Sequence, residues 1–196
     1  MSAWIIVWGL AIAAYGVFWA WYVGFGRKVS EHELNRYMVC IEQTELSEES
    51  VASYRNFFAK DDGKEFFMVN LLDLKSPKRE SSQLLNKYTS VFVGKLMKKA
   101  GHPYFFGLAK ARNLENLNCE VVDGWTSVAL MRYRNRRDLG EMLVATFGQE
   151  HHGFKLAALE KTLAFPASGT LNLGSVRLVV GLVVMLIACA AHILIS

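Results

Sequence analysis

The chain begins and ends in apolar runs. From Ser2 to Gly24, and again from Leu178 to Ser196, there is no Asp, Glu, Lys or Arg. Each run approaches the ~20 residues that cross a hydrocarbon core of ~30 Å. The pattern predicts transmembrane helices over 1–26 and 176–196. A cleaved leader fits the first run poorly, because no basic residue precedes it. Arg27-Lys28 also follows it where a small-residue cleavage site would stand. The second run lacks the polar periodicity of a helix buried in a soluble core.

Between the runs the pattern turns amphipathic. Residues 27–46 read as a linker helix, with Leu34, Met38 and Ile41 on one face. An α+β domain is then predicted over 47–166. Ser47 caps a helix whose first turn carries Glu48 and Glu49 and whose apolar face holds Val51, Tyr54, Phe57 and Phe58. Asp61-Asp62-Gly63 is a turn, and 65–74 (EFFMVNLLDL) is a strand apolar enough to be central. Ser76-Pro77 ends it. Ser81 or Ser82 is expected to cap a helix reaching Ala100, its stripe formed by Leu85, Tyr88, Phe92 and Leu96. Strands follow at 103–110 and 125–133, separated by a polar connection. Asn135 caps a helix carrying Leu139, Met142, Leu143 and Phe147, and a short helix is expected over about 149–160. A last strand at 161–165 stops at Pro166, and 167–175 is a linker. Strand, helix, strand, strand, helix, strand is the ferredoxin-like order, with an antiparallel sheet and helices on one face. The bare face of such a sheet needs a cover, for which a second copy is the usual solution.

Charge is unevenly spread. Residues 31–65 hold nine acids and four bases, and 66–165 hold nine acids and fifteen bases. A solvated surface accommodates this most simply, and docking between segments or between subunits also does. Neither part is basic enough, or carries a motif, to indicate nucleic-acid binding. Cys40, Cys119 and Cys189 show no paired spacing, so neither a disulfide framework nor a metal site is expected. Arg27, Lys28, Arg36 and Arg177 all flank the predicted spans on the domain side, which predicts a cytoplasmic domain with both termini outside. Trp4 and Trp8 near one end of the first span, and Trp19, Trp21 and Tyr22 near the other, suit interfacial belts. Gly9, Ala13, Gly16, Ala20 and Gly24 form a stripe of small residues expected to pack against another helix: the second span, another copy or another protein.

MVNLLDLK at 68–75, the Tyr88 helix, DGWTSVALMRY at 123–133 with Asn-Arg-Arg-Asp-Leu at 135–139, and LAALEKTLAF at 156–165 resemble one family. It is a family of uncharacterised function in the dimeric α+β barrel superfamily, related to the EthD-like and antibiotic-biosynthesis monooxygenase groups. The resemblance spans 47–166 and implies a ferredoxin-like dimeric α+β barrel. Its members are usually small soluble proteins, so the terminal spans depart from the pattern. So does the turn Tyr133-Arg134-Asn135-Arg136, which often reads Tyr-Pro-Ser-Arg. Related barrel families that bind haem use a histidine from a helix over the sheet.

No phosphate loop, HExxH, CxxC or G-x-S-x-G is present. His151 and His152 are weak candidates for a base or a haem ligand, while a solvated helix cap is the simpler reading; His102 reads as structural. Asn70 is an amide within an apolar strand, and Asn70, Tyr88, Asp123, Trp125 and Arg132 are candidates to line a ligand pocket. Arg134, Arg136 and Arg137 form a basic cluster, solvated or facing acidic surfaces or lipid headgroups. The leading expectation is a membrane-anchored accessory or assembly subunit of a larger membrane complex in a bacterial inner membrane. Its domain would pair with other integral membrane proteins or with itself, and no cofactor is expected. The alternative is a monooxygenase-like enzyme or sensor that binds a small hydrophobic ligand or haem.

Overall fold

The computed structural model describes residues 2–118, 124–147, 150–170, 172 and 174–195, with only the backbone of Glu150 and His151. Cys119 and Asp123 lie outside the described residues. The chain divides into two units: residues 1–25 with 169–196, and residues 26–168.

The first unit is a helix pair, α1 (Ala3–Val23) and α7 (Val176–Ile195), both long and apolar enough to cross a membrane. Tyr15 lies at their contact. Its Oη donates to the Arg177 carbonyl at 3.1 Å, and its ring occupies the space that Gly181 leaves by lacking a Cβ. Arg177 stands 5.6 Å over the Trp19 ring. The small-residue stripe lies elsewhere. Gly9, Ala13 and Gly16 are exposed, and a Cβ added at Gly9 or Gly16 would meet nothing within 4 Å. Thus α7 uses the Tyr15 side of α1, not the stripe.

The second unit runs α2 (Glu31–Glu42), α3 (Glu48–Ala59), β1 (Phe66–Leu74), α4 (Lys78–Met97), β2 (His102–Leu108), β3 (Ser127–Tyr133), α5 (Arg136–Thr146), α6 (Glu150–Ala158) and β4 (Leu159–Ala167). The four strands form one antiparallel sheet in the order β2-β3-β1-β4, so the fold is α+β. β1 pairs with β3 in the register Phe66↔Tyr133 and with β4 in the register Phe67↔Ala167. Alternation sends Met68, Asn70 and Leu72 to the helix-covered face, and Phe67, Val69 and Leu71 to the other. The edge strands β2 and β4 accommodate Pro103 and Pro166, whose missing N–H groups an edge does not need.

Local caps set several helix starts. At α2 the Ser30 hydroxyl accepts from the Glu33 N–H, and Glu33 returns the bond to the Ser30 N–H, a capping box. Ser47 caps α3 and Asn135 caps α5, as expected from the sequence. α4 starts earlier than expected. It begins at Lys78 directly after Pro77, and Ser81 is buried inside its first turns.

The segment 27–46 is not a free linker, because α2 is built into the domain core. Tyr37, Met38 and Ile41 are buried with Phe58, Phe66, Leu139 and Met142. α2 docks on α5. Glu33 accepts from Arg137 Nε at 2.6 Å, Arg36 pairs with Glu141, and Tyr37 Oη donates to Glu141 at 2.9 Å. The acidic and basic segments therefore dock on each other, and the basic cluster is used internally. Arg134 pairs with Asp138 at 2.9 Å, and Arg136 lies 3.8 Å from Asp61 and 4.4 Å over the Phe57 ring.

Gly140 of α5 lies directly against Tyr37 of α2. A Cβ there would lie 2.2 Å from the Tyr37 ring, which is fully buried beside Phe58. Alanine is the better helix former by about 1 kcal/mol on propensity alone, but the ring has nowhere to go. Gly140→Ala should destabilise the domain by about 1–3 kcal/mol in a denaturant titration; a gain in stability would show the contact to be loose.

Burial disfavours the Glu33 carboxylate, but bonds from the Ser30 N–H, Arg137 and the Ser30 hydroxyl outweigh it and draw the pKa from 4.5 down to about 2. A lowered folded-state pKa contributes stability that is complete above the unfolded value and lost as pH falls toward the folded one. Glu33→Gln should cost about 2 kcal/mol at neutral pH. That deficit should shrink as pH falls from 4.5 to about 2. Urea titrations of both proteins across that window check the slope; a deficit independent of pH would contradict it.

Candidate ligand cavity

The helix-covered face of the sheet is not filled. A cavity of about 340 Å³ lies between the strands and the helices. Met68, Asn70, Leu72 and Leu74 of β1 and Ala129, Met131 and Tyr133 of β3 form its floor. Leu85, Tyr88 and Phe92 of α4 and Leu139 and Leu143 of α5 close it from above, and Tyr54 of α3 and Lys155 of α6 complete the wall. The volume falls within the range of small-molecule sites, and the lining is mostly apolar with a few polar groups, as such sites are.

Some of those polar groups are already engaged. Asn70 Nδ2 donates to the Met68 carbonyl at 3.0 Å and the Ala129 carbonyl at 3.3 Å, so its amide first serves the sheet. Thr126 donates to Asp73 at 2.6 Å, and Thr146 to the Met142 carbonyl at 2.7 Å. The others are not engaged in this way. Tyr54, Tyr88 and Tyr133 make no hydrogen bond to any described residue. Burial raises the pKa of all three. Tyr54 raises that of Tyr88 further, and both raise that of Tyr133.

Lys155 is the one charged side chain among the described lining residues. It is half-buried, its Nζ stands 5.9 Å over the Tyr88 ring, and it forms no ion pair with a described residue. Burial pushes its amine below the usual lysine range, because desolvation penalises the ammonium.

The structure therefore brings together Asn70 and Tyr88 of the expected pocket residues and separates the rest. Arg132 points to the opposite face from Met131 and Tyr133. It is buried there, with Nε and Nη2 on Glu65 at 2.8 and 2.6 Å and Nη1 on the Ala100 carbonyl at 2.7 Å. Its place is structural. Trp125 precedes β3 and stacks under Lys161 at 5.2 Å. His152 is outside the lining; its ring packs 4.7 Å from Phe147, and its buried Nδ1 has no hydrogen-bond partner among the described residues. Burial, then Lys155, lowers its pKa. The side chain of His151 is outside the described residues. No imidazole of a described residue lines the cavity. Among the described residues no group of His, Cys, Asp and Glu could hold a metal ion.

Sequence reasoning missed Tyr54, Tyr133 and Lys155 as pocket residues. The spacing His152, Lys155, Ala158 was the available signal, since three-residue steps place Lys155 on the helix face that carries buried Ala158.

No protein-family model matches the chain, and no curated protein matches it. The chain is similar in structure to RPA0582, a protein of unknown function from Rhodopseudomonas palustris. The crystal structure of that protein is 17% identical, with a TM-score of 0.52, over 65% of this chain and 97% of that one. Its methylated form is 19% identical, with a TM-score of 0.51, over 67% of this chain and 96% of that one. At such identity the likeness is one of fold.

Proposed function

We propose that this chain is a membrane-anchored domain that binds a small apolar molecule between its sheet and its helices. The carrying observation is the cavity of about 340 Å³, walled by aliphatic and aromatic side chains yet presenting unengaged phenols. At ~30 Å³ per water it has the room of roughly eleven water molecules, a ligand of about that many non-hydrogen atoms. α1 and α7 cross a bacterial inner membrane in this reading. The domain lies on the cytoplasmic side with both termini outside, as Arg27, Lys28 and Arg177 favour. The contact of Arg177 with Trp19 sets a cation and an indole at one level, as at a headgroup boundary.

A second reading rests on the other face of the sheet. Phe105, Leu163 and Phe165 are 46–51% exposed there, beside half-buried Val69, Leu71, Val128 and Leu130. The strand order β2-β3-β1-β4 is that of a ferredoxin-like domain. A second copy laid on this face would make the dimeric α+β barrel, and the accessory or assembly role would be exercised through such pairing.

Two outcomes test these readings. Cinnamyl alcohol at a hundredfold excess over its Kd should raise the melting temperature of the full chain in detergent by roughly 5 °C. Leu85→Trp, which fills the cavity from α4, should abolish the rise; an equal rise in the variant would show that the alcohol binds elsewhere. For the sheet face, light scattering of the full chain corrected for detergent should find two chains per particle. Phe105→Glu should return it to one, and an unchanged dimer would move the interface away from β2.

A further inference from the structure

Resting on the cavity reading, we infer that the bound molecule carries a carboxylate, which pairs with Lys155 and accepts hydrogen bonds from the neighbouring phenols. The lining of the cavity is unbalanced in charge. It holds one cation, Lys155, and no carboxylate among the described residues. A cation taken from water into an apolar wall is costly unless an anion or several acceptors meet it. Here it meets the face of the Tyr88 ring, 5.9 Å away, and no acceptor among the described residues.

The second observation is independent of the lysine. Buried tyrosine hydroxyls normally find partners. Buried Tyr133 and half-buried Tyr54 and Tyr88, from three different elements, line the same cavity without one among the described residues. An ammonium and three phenols are all donors. The group that satisfies them together is a strong acceptor with negative charge and several lone pairs, and a carboxylate has both. Leu72, Leu85, Phe92 and Met131 provide apolar contact and so favour an apolar body. Binding of such an acid would restore the ammonium that burial disfavours. The ligand class is a small aryl or alkyl carboxylic acid of about a dozen non-hydrogen atoms, by the room per water molecule used above.

The test compares cinnamate with cinnamyl alcohol, which share a skeleton and differ at the polar end. Binding to the full chain in detergent is measured by calorimetry, with empty micelles as the blank. Cinnamate should bind about tenfold more tightly, the gain of one charge-assisted contact over a neutral one. Lys155→Met should erase the tenfold preference of cinnamate over the alcohol. Tyr88→Phe, which keeps the ring and deletes the hydroxyl, should weaken cinnamate more than the alcohol. Equal affinities for both probes in the unaltered protein, or a preference that survives Lys155→Met, would overturn the acid inference and leave the cavity reading standing. Failure of both probes to bind would remove the cavity reading, and the inference with it.

Discussion

The docking of α2 on α5 is the interaction on which the rest of the domain depends. Glu33 holds three positions at once: it completes the cap of its own helix, binds Arg137 of α5, and is approached by Arg27 at 3.7 Å. Glu141 replies from α5 to Arg36 and Tyr37. Both carboxylates are partly withdrawn from water, where a pair with full hydrogen bonding holds geometry well and a broken one is penalised. Because α5 contributes Leu139 and Leu143 to the cavity, its position decides the cavity's height. Residues that touch no ligand thus determine whether there is room for one.

The sheet explains why the cavity survives packing. β1 is bonded on both edges and cannot shift to close the gap, and β3 is likewise held by β1 and β2. Arg132, clamped between Glu65 and the Ala100 carbonyl, fixes the start of β2 from the far face. Interiors normally fill to crystal-like density. Here the fixed strands below and the ion-paired helices above leave a space that side chains from β1 and α4 border without filling.

Where the signal was local, the sequence was readable. Caps at Ser47 and Asn135, the apolar run of β1 and the turn at Asp61-Asp62-Gly63 are each written within a few residues. The role of α2 was not, because Glu33 and Arg137 stand 104 positions apart and neither is unusual alone. At the end of β4, Pro166 reads as a stop, yet at an edge it costs no ladder bond and the strand runs to Ala167. Within the site, Asn70 and Tyr88 were legible as polar members of apolar faces. Arg132 could have been excluded by period-two alternation with Met131 and Tyr133. Lys155 was hidden because a lysine on a short helix reads as solvated until the neighbouring α4 is in place.

The connectivity has a topological consequence. The domain is strung between two helices, Ala3–Val23 and Val176–Ile195, that contact each other. While that pair holds, the intervening chain is a closed loop even when its own structure melts. Closing a loop of this order removes roughly 4–5 kcal/mol of unfolded-chain entropy, as a long-range disulfide would. The helix pair therefore acts on the domain as a non-covalent crosslink. By reciprocity, a folded domain that holds its two ends near each other raises the effective concentration of one helix for the other.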